Sequence, residues 1–164
     1  MFAASQEALD QAIGEPGAGS IVTAARQAYQ EALCEGIKGS RVDSADPRLH
    51  RYLAARLGTM AEEHTYAIFI DARGEYISDE TVAAGGTAAV PVRCRALFQR
   101  ALTLEARAIL LAHNHPSGQA VASQSDVDVT RELVKIASRL ELTIVDHLIV
   151  TSREVFSMKR AGLL

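Results

Sequence analysis

The sequence contains no tryptophan and only four tyrosines and four phenylalanines in 164 residues. Its core must therefore be built from Ala, Leu, Ile and Val rather than from aromatic bulk. Only two cysteines occur, Cys34 and Cys94. They lie far apart and match no metal or redox spacing, so two free thiols in a reducing compartment are expected. No apolar run approaches the roughly 20 residues needed to cross a bilayer. The first residues carry Glu7, Asp10 and Glu15 and lack a basic leader followed by an apolar stretch, so no signal peptide is expected. The expectation is a cytoplasmic protein with no membrane role. Excess positive charge is missing too: 17 Lys and Arg face 20 Asp and Glu, a net charge of −3. That balance argues against nonspecific binding to duplex DNA, although basic residues recur between Arg93 and Arg107, interrupted by Glu105.

What remains is a globular composition, 48% hydrophobic and 23% charged. The length suits one domain with a short appendage, burying roughly 70% of the unfolded chain's surface. Residues 1–19 end in Gly14, Pro16, Gly17 and Gly19 and read as a loose arm. From Ser20, the spacing of Ile21, Ala24, Ala25, Tyr29, Ala32 and Leu33 predicts a helix ending near Gly36 or Gly39. After a polar connection, Ser44 precedes a second helix with Pro47 in its first turn and Leu49, Leu53 and Leu57 on one face, closed by Gly58. Tyr66–Ile70 is expected as a strand and Glu75–Thr81 as its hairpin partner. Val82–Val90 reads as irregular; its Gly85-Gly86 is no phosphate loop, because no Gly-Lys-Ser/Thr follows. A helix with Ala96, Leu97, Ala101 and Leu104 on one side is expected after Pro91. The unbroken apolar run Ala108–Ala112 predicts a strand buried on both faces. A loop over His113–Val121 follows, then a helix from Ser123 carrying Val129, Leu133, Ile136 and Leu140. Thr143–Val150 and Val155–Met158 complete the set as strands. Helices alternating with strands argue an α/β domain with a central sheet.

The chemistry concentrates at the end of that buried strand, in His113-Asn114-His115-Pro116-Ser117-Gly118. Alternate strand residues share a face, so His113 and His115 point the same way and suit one ion. Asp126, eleven residues after His115, sits near the start of the next helix and can return a carboxylate over the loop. Three protein ligands with one open position is the pattern of a catalytic zinc site rather than a structural one. Such a site still needs a base, and Glu62 or Glu63 precedes the strand Tyr66–Ile70; periodicity does not choose between them. Ser123 could donate to a developing oxyanion. Ser123-x-x-Asp126 also reads as a helix-capping box, and the two readings are compatible. Asp146-His147 lies in an apolar strand run and is expected to make a structural hydrogen bond. Asn114 should point away from the two histidines and satisfy loop backbone. His50 and His64 have no partner by spacing and read as surface residues.

His113-x-His115-Pro116, with Ser123 eight residues after His115 and Asp126 three later, resembles the JAMM motif of the MPN/JAB metalloproteases at every spacing. The fuller string His-Asn-His-Pro-Ser-Gly, Glu63-His64 before Asp71, and Asp146-His147-Leu148-Ile149 resemble the RadC branch of that superfamily, over roughly Asp46 to Leu164. The resemblance implies a cytidine-deaminase-like α/β fold with a central mixed sheet flanked by helices, in a domain over 41–164 behind an N-terminal arm and helix over 1–40. It implies one Zn²⁺ on His113, His115 and Asp126. It assigns the base to Glu63 and leaves Glu62 as a solvated or capping residue. Fuller members of the superfamily hydrolyse isopeptide bonds to ubiquitin-like modifiers, so a peptide or ubiquitin-like protein is the expected substrate. Two departures stand out. Ala122 occupies a position usually held by Pro, and residues 1–40 lack the helix-hairpin-helix module that RadC proteins often carry. The competing readings are a RadC-type DNA repair accessory protein and a non-catalytic MPN scaffold. A homodimer is compatible with the sequence, which leaves the assembly open.

Overall fold

The structure, a computed structural model, describes residues 5–84 and 94–164. In chain order the elements are α1 (Gln6–Ile13), α2 (Ala18–Glu35), α3 (Pro47–Leu57), β1 (His64–Ile70), β2 (Tyr76–Ala84), α4 (Cys94–Thr103), β3 (Ala108–Asn114), α5 (Gln124–Arg139), β4 (Thr143–Val150) and β5 (Val155–Ser157). The five strands form one sheet in the order β2-β1-β3-β4-β5. β3 and β4 are parallel, joined through α5 as a βαβ unit, and the other pairings are antiparallel. This is the mixed sheet flanked by helices that the family resemblance implied.

Strand alternation divides the core between the two faces of the sheet. Tyr66, Ile68 and Ile70 of β1, with Leu110 and Ala112 of β3, pack on Leu49, Tyr52, Leu53 and Leu57 of α3. Ala67, Phe69, Ile109 and Leu111 point the opposite way, onto Leu97, Phe98 and Ala101 of α4 and Leu133 and Ala137 of α5. Both faces of β1 and β3 are thus covered, which explains their continuous apolar runs. Helix α3 is also pinned by a polar contact: the phenols of Tyr52 and Tyr66 both donate to the Asp79 carboxylate on β2.

Several expectations are corrected. Much of the arm over 1–19 is helical. Ser5 caps α1, accepting from Ala8 N at 3.2 Å, and Gly14 closes it with φ 79°. The Asp10 carboxylate then accepts from Gly19 N at 2.7 Å, tying α1 to α2. The glycines that read as slack are punctuation and close packing. On α2, Ile21 and Tyr29 are 71% and 58% exposed, so that predicted apolar face is not the packed one. Asp46 caps α3, its side chain accepting from Arg48 N. β1 starts two residues earlier than expected, and β3 extends through His113 and Asn114 into the predicted loop. Val82–Ala84 belong to β2; residues 85–90 of the predicted irregular stretch, including Gly85-Gly86, lie outside the described residues, as does the predicted start of the helix after Pro91.

A Cβ added at Gly19 would stand 2.2 Å from the Gln6 carbonyl oxygen. Gly19→Ala is therefore expected to force α1 off α2, at a cost of roughly 1–3 kcal/mol. Faster protease cleavage within α1 and a lower unfolding midpoint would show it, whereas an unpacked arm would be indifferent to the substitution.

Candidate metal centre

Three separate stretches deliver four side chains to the carboxyl end of β3. Glu63, His113, His115 and Asp126 each offer one ligand atom, all within 4.8 Å of one another. His113 belongs to the sheet face of Ile109 and Leu111, which looks toward α5, and His115 follows just past the strand end. The His115 N–H continues the ladder to the Val150 carbonyl, and the turn to Gly118 N brings the chain round. The two imidazole Nε2 atoms stand 2.9 Å apart.

Asp126 occupies the third helical position of α5, whose N-terminus lies over the end of β3. Its Oδ2 accepts from both Ser123 N and Ser123 Oγ at 2.7 Å, while Asp126 N donates back to Ser123 Oγ. This is the capping box read from the sequence, and it aims the carboxylate. Oδ1 lies 3.4 Å from His113 Nε2 and Oδ2 3.5 Å from His115 Nε2. Burial alone would raise the Asp126 pKa, but the Ser123 hydrogen bonds and the two imidazoles outweigh it and hold the carboxyl below its ordinary range.

Strand parity selects between the two glutamates. Glu63 precedes β1 in phase with Thr65, which pairs with His113, so it falls on the His113 side of the sheet. Its Oε1 is 3.7 Å from His113 Nε2. Glu62 is exposed and contributes its backbone. Asn114, facing away from the histidines, fastens this loop: Oδ1 accepts from His64 N at 2.8 Å, and Nδ2 donates to the carbonyls of Glu62 and Met60 at 2.9 and 3.3 Å. Burial raises the pKa of Glu63, with the charge of Asp126 adding to the rise and His115 opposing it.

The donor set fits a cation. The His115 Nδ1 lies 3.1 Å from the Gln119 carbonyl, which can only accept, so the neutral ring carries its proton there and leaves Nε2 bare. That lone pair converges with another imidazole and two carboxylates. Four ligands about 2.0–2.1 Å from a tetrahedral zinc would be spaced about 3.3 Å apart, close to the separations among His113, His115 and Asp126. Burial pushes the His113 imidazole down to about 4 and His147 down to about 3, so both rings are neutral at pH 7, as metal binding requires.

Other residues fall as follows. Asp146 is fully buried and structural: it accepts from Ser157 Oγ at 2.6 Å, from its neighbour His147 N at 2.7 Å and from Lys159 N at 3.0 Å. The backbone of His147 belongs to that structural set, as expected, while its ring turns to His113, with Nε2 2.8 Å from His113 Nδ1. His50 is half-buried and bonds the Ser44 carbonyl at 2.7 Å, against the expected bare surface position. Thr130 was missed by sequence reasoning. It interrupts the buried stripe Val127, Thr130, Leu133, Ala137 of α5, and that lone hydroxyl among apolar positions is the signal that marks it.

The family profile described as RadC-like JAB domain matches residues 44–163. A UPF0758 protein of Bordetella petrii is 36% identical over 169 residues, covering 100% of this chain and 73% of that protein. The UPF0758 protein YfjY of Escherichia coli is 34% identical over 113 residues, covering 69% of this chain and 71% of that protein. A UPF0758 protein of Burkholderia ambifaria is 34% identical over 157 residues, covering 91% of this chain and 59% of that protein.

Buried neutral histidines make a pH prediction. In the unfolded chain both rings regain their ordinary pKa near 6.5, so below that pH the unfolded state binds protons that the folded state refuses. Stability of chelator-treated protein is thus full above about pH 6.5 and falls as the pH drops toward 4. Urea midpoints at about pH 7.5 and about pH 5 should differ in that direction; equal midpoints would contradict the buried neutral pair.

Proposed function

Because the chain belongs to the RadC-like JAB domain family, we propose that it is a zinc-dependent hydrolase of the JAMM type, acting on an amide or isopeptide bond. The observation carrying this reading is the convergence of Glu63, His113, His115 and Asp126, whose ligand atoms all lie within 4.8 Å of one another. His113, His115 and Asp126 would hold the zinc. When bound, it supplies Lewis acidity, polarising a carbonyl and making water acidic enough to lose a proton near pH 7.

The chain's own residues do the rest. Glu63, standing farther from His113 than Asp126 does, takes the proton from the attacking water and returns it to the leaving amine. Its raised pKa suits that exchange, since a base must also be able to give the proton back. Ser123 is assigned to the oxyanion. Its hydroxyl donates to Asp126 Oδ2 at 2.7 Å, so it serves the oxyanion by releasing that bond. A peptide or ubiquitin-like tail is the proposed substrate class. The net charge of −3 opposes the DNA accessory reading.

Glu63→Gln should retain stoichiometric zinc, read by metal analysis, and lose roughly 100- to 10,000-fold in turnover on an isopeptide-linked reporter. Undiminished cleavage would remove Glu63 from the mechanism. A purified wild-type protein that takes up no added zinc would favour the non-catalytic scaffold instead.

A further inference from the structure

Behind His113, on the side away from the cluster, a chain of hydrogen bonds leads into the protein. His113 Nδ1 meets His147 Nε2 at 2.8 Å, His147 Nδ1 meets Thr130 Oγ1 at 2.6 Å, and Thr130 Oγ1 meets the backbone carbonyl oxygen of Asp126 at 2.5 Å. His113, His147 and Thr130 are 2%, 3% and 0% exposed. Among the described residues, no buried side-chain polar atom lacks a partner, so the chain closes on protein atoms alone.

The far end of the chain sets its direction. A carbonyl oxygen only accepts, so the Thr130 proton goes to Asp126 O. Met158 Sδ at 3.8 Å is a much weaker acceptor, and His147 Nδ1 at 2.6 Å would take that proton only by leaving the 2.5 Å contact between Thr130 Oγ1 and Asp126 O with none. With its proton committed, Thr130 Oγ1 must accept from His147 Nδ1–H. A neutral imidazole carries one proton, so His147 Nε2 is bare and accepts from His113 Nδ1–H. His113 therefore has no proton left for Nε2, which faces His115 and Asp126 with a lone pair.

A bulge makes this arrangement reachable. Ile144 pairs with Ile109, but Asp146 pairs with Leu110, so one extra residue stands in β4 at Val145. Without it, simple alternation from Ile144 would turn Asp146, not His147, toward α5.

We infer that Thr130 and His147 are positioning residues that hold His113 as the Nδ1–H tautomer and so present its Nε2 as a ligand. The ligand role of Nε2 rests on the zinc reading; the tautomer does not. The relay also works against the local field, because a proton on Nε2 would otherwise be drawn toward the Asp126 carboxylate. It begins on the backbone of one proposed ligand and ends on the ring of another, coupling their positions.

The test uses metal-free, ¹⁵N-histidine-labelled full chain and long-range proton–nitrogen correlation spectra, which distinguish the two tautomers. Wild-type protein should show His113 and His147 both as Nδ1–H. Thr130→Val removes the terminal acceptor and donor and should abolish the single-tautomer pattern at both rings, and Thr130→Ser should restore it. Zinc affinity, read by chelator competition, should fall roughly 10- to 100-fold in Thr130→Val and recover in Thr130→Ser. A wild-type His113 protonated at Nε2, or a Thr130→Val spectrum with both tautomers unchanged, overturns the inference. The wild-type spectrum decides even if the valine variant does not fold. Wild-type protein with the stated tautomers but no zinc uptake would uphold the relay and defeat the metal reading.

Discussion

Four side chains able to ligate a cation crowd together at the carboxyl end of β3, and much of the surrounding structure consists of groups that hold them there. Two imidazole nitrogens 2.9 Å apart and two carboxylates gather within 4.8 Å of one another, and the like charges of the carboxylates favour a cation between them. Each member is consequently tied from behind. Gln119 O fixes the ring of His115, the Ser123 cap fixes Asp126, and Asn114 ties down the loop that carries Glu63. His113 is braced through His147 and Thr130. A metal site of this kind depends as much on these outer partners as on its ligands.

The sheet supplies the rigidity. β1 and β3 are covered on both faces, so their alternation is imposed by two cores at once, and a slip of one residue would send apolar side chains to the wrong layer. Parity along β3 puts His113 toward α5 and Asn114 toward the opposite side. The same parity along β1, carried one residue before the strand, brings Glu63 rather than Glu62 to the cluster. The helix that crosses from β3 to β4 sets its N-terminus at the site. An acidic residue is favoured at that helix end, so the proposed ligand Asp126 also stabilises the helix it stands on.

Where sequence reasoning failed, the cause was context. Gly14, Gly17 and Gly19 read as slack, yet Gly14 closes a helix and Gly19 admits the neighbouring chain of α1. A glycine has the same local signature in a flexible arm and at a tight crossing, so only the partner's position tells them apart. Thr130 and His147 lie 17 residues apart and share no spacing rule, and they meet because α5 packs on β4 across a bulge that periodicity does not reveal. His113 and Asn114 read as loop because of the Pro and Gly that follow them, although β4 continues to pair with both.

The sequence alone determined an α/β domain with a central sheet, through its apolar periods, and the pairing of His113 and His115 with Asp126, through spacings tied to a strand end and a helix start; the mixed sheet and Glu63 came from the family resemblance. The first two are local properties, written in residue type and offset. Only the tertiary structure showed how Glu63 comes to stand on the histidine side, how each ring nitrogen is partnered and what braces the ring of His113. Those depend on register between β1 and β3, on the extra residue in β4 and on hydrogen bonds between segments far apart in the chain, and such long-range pairings have no period to read.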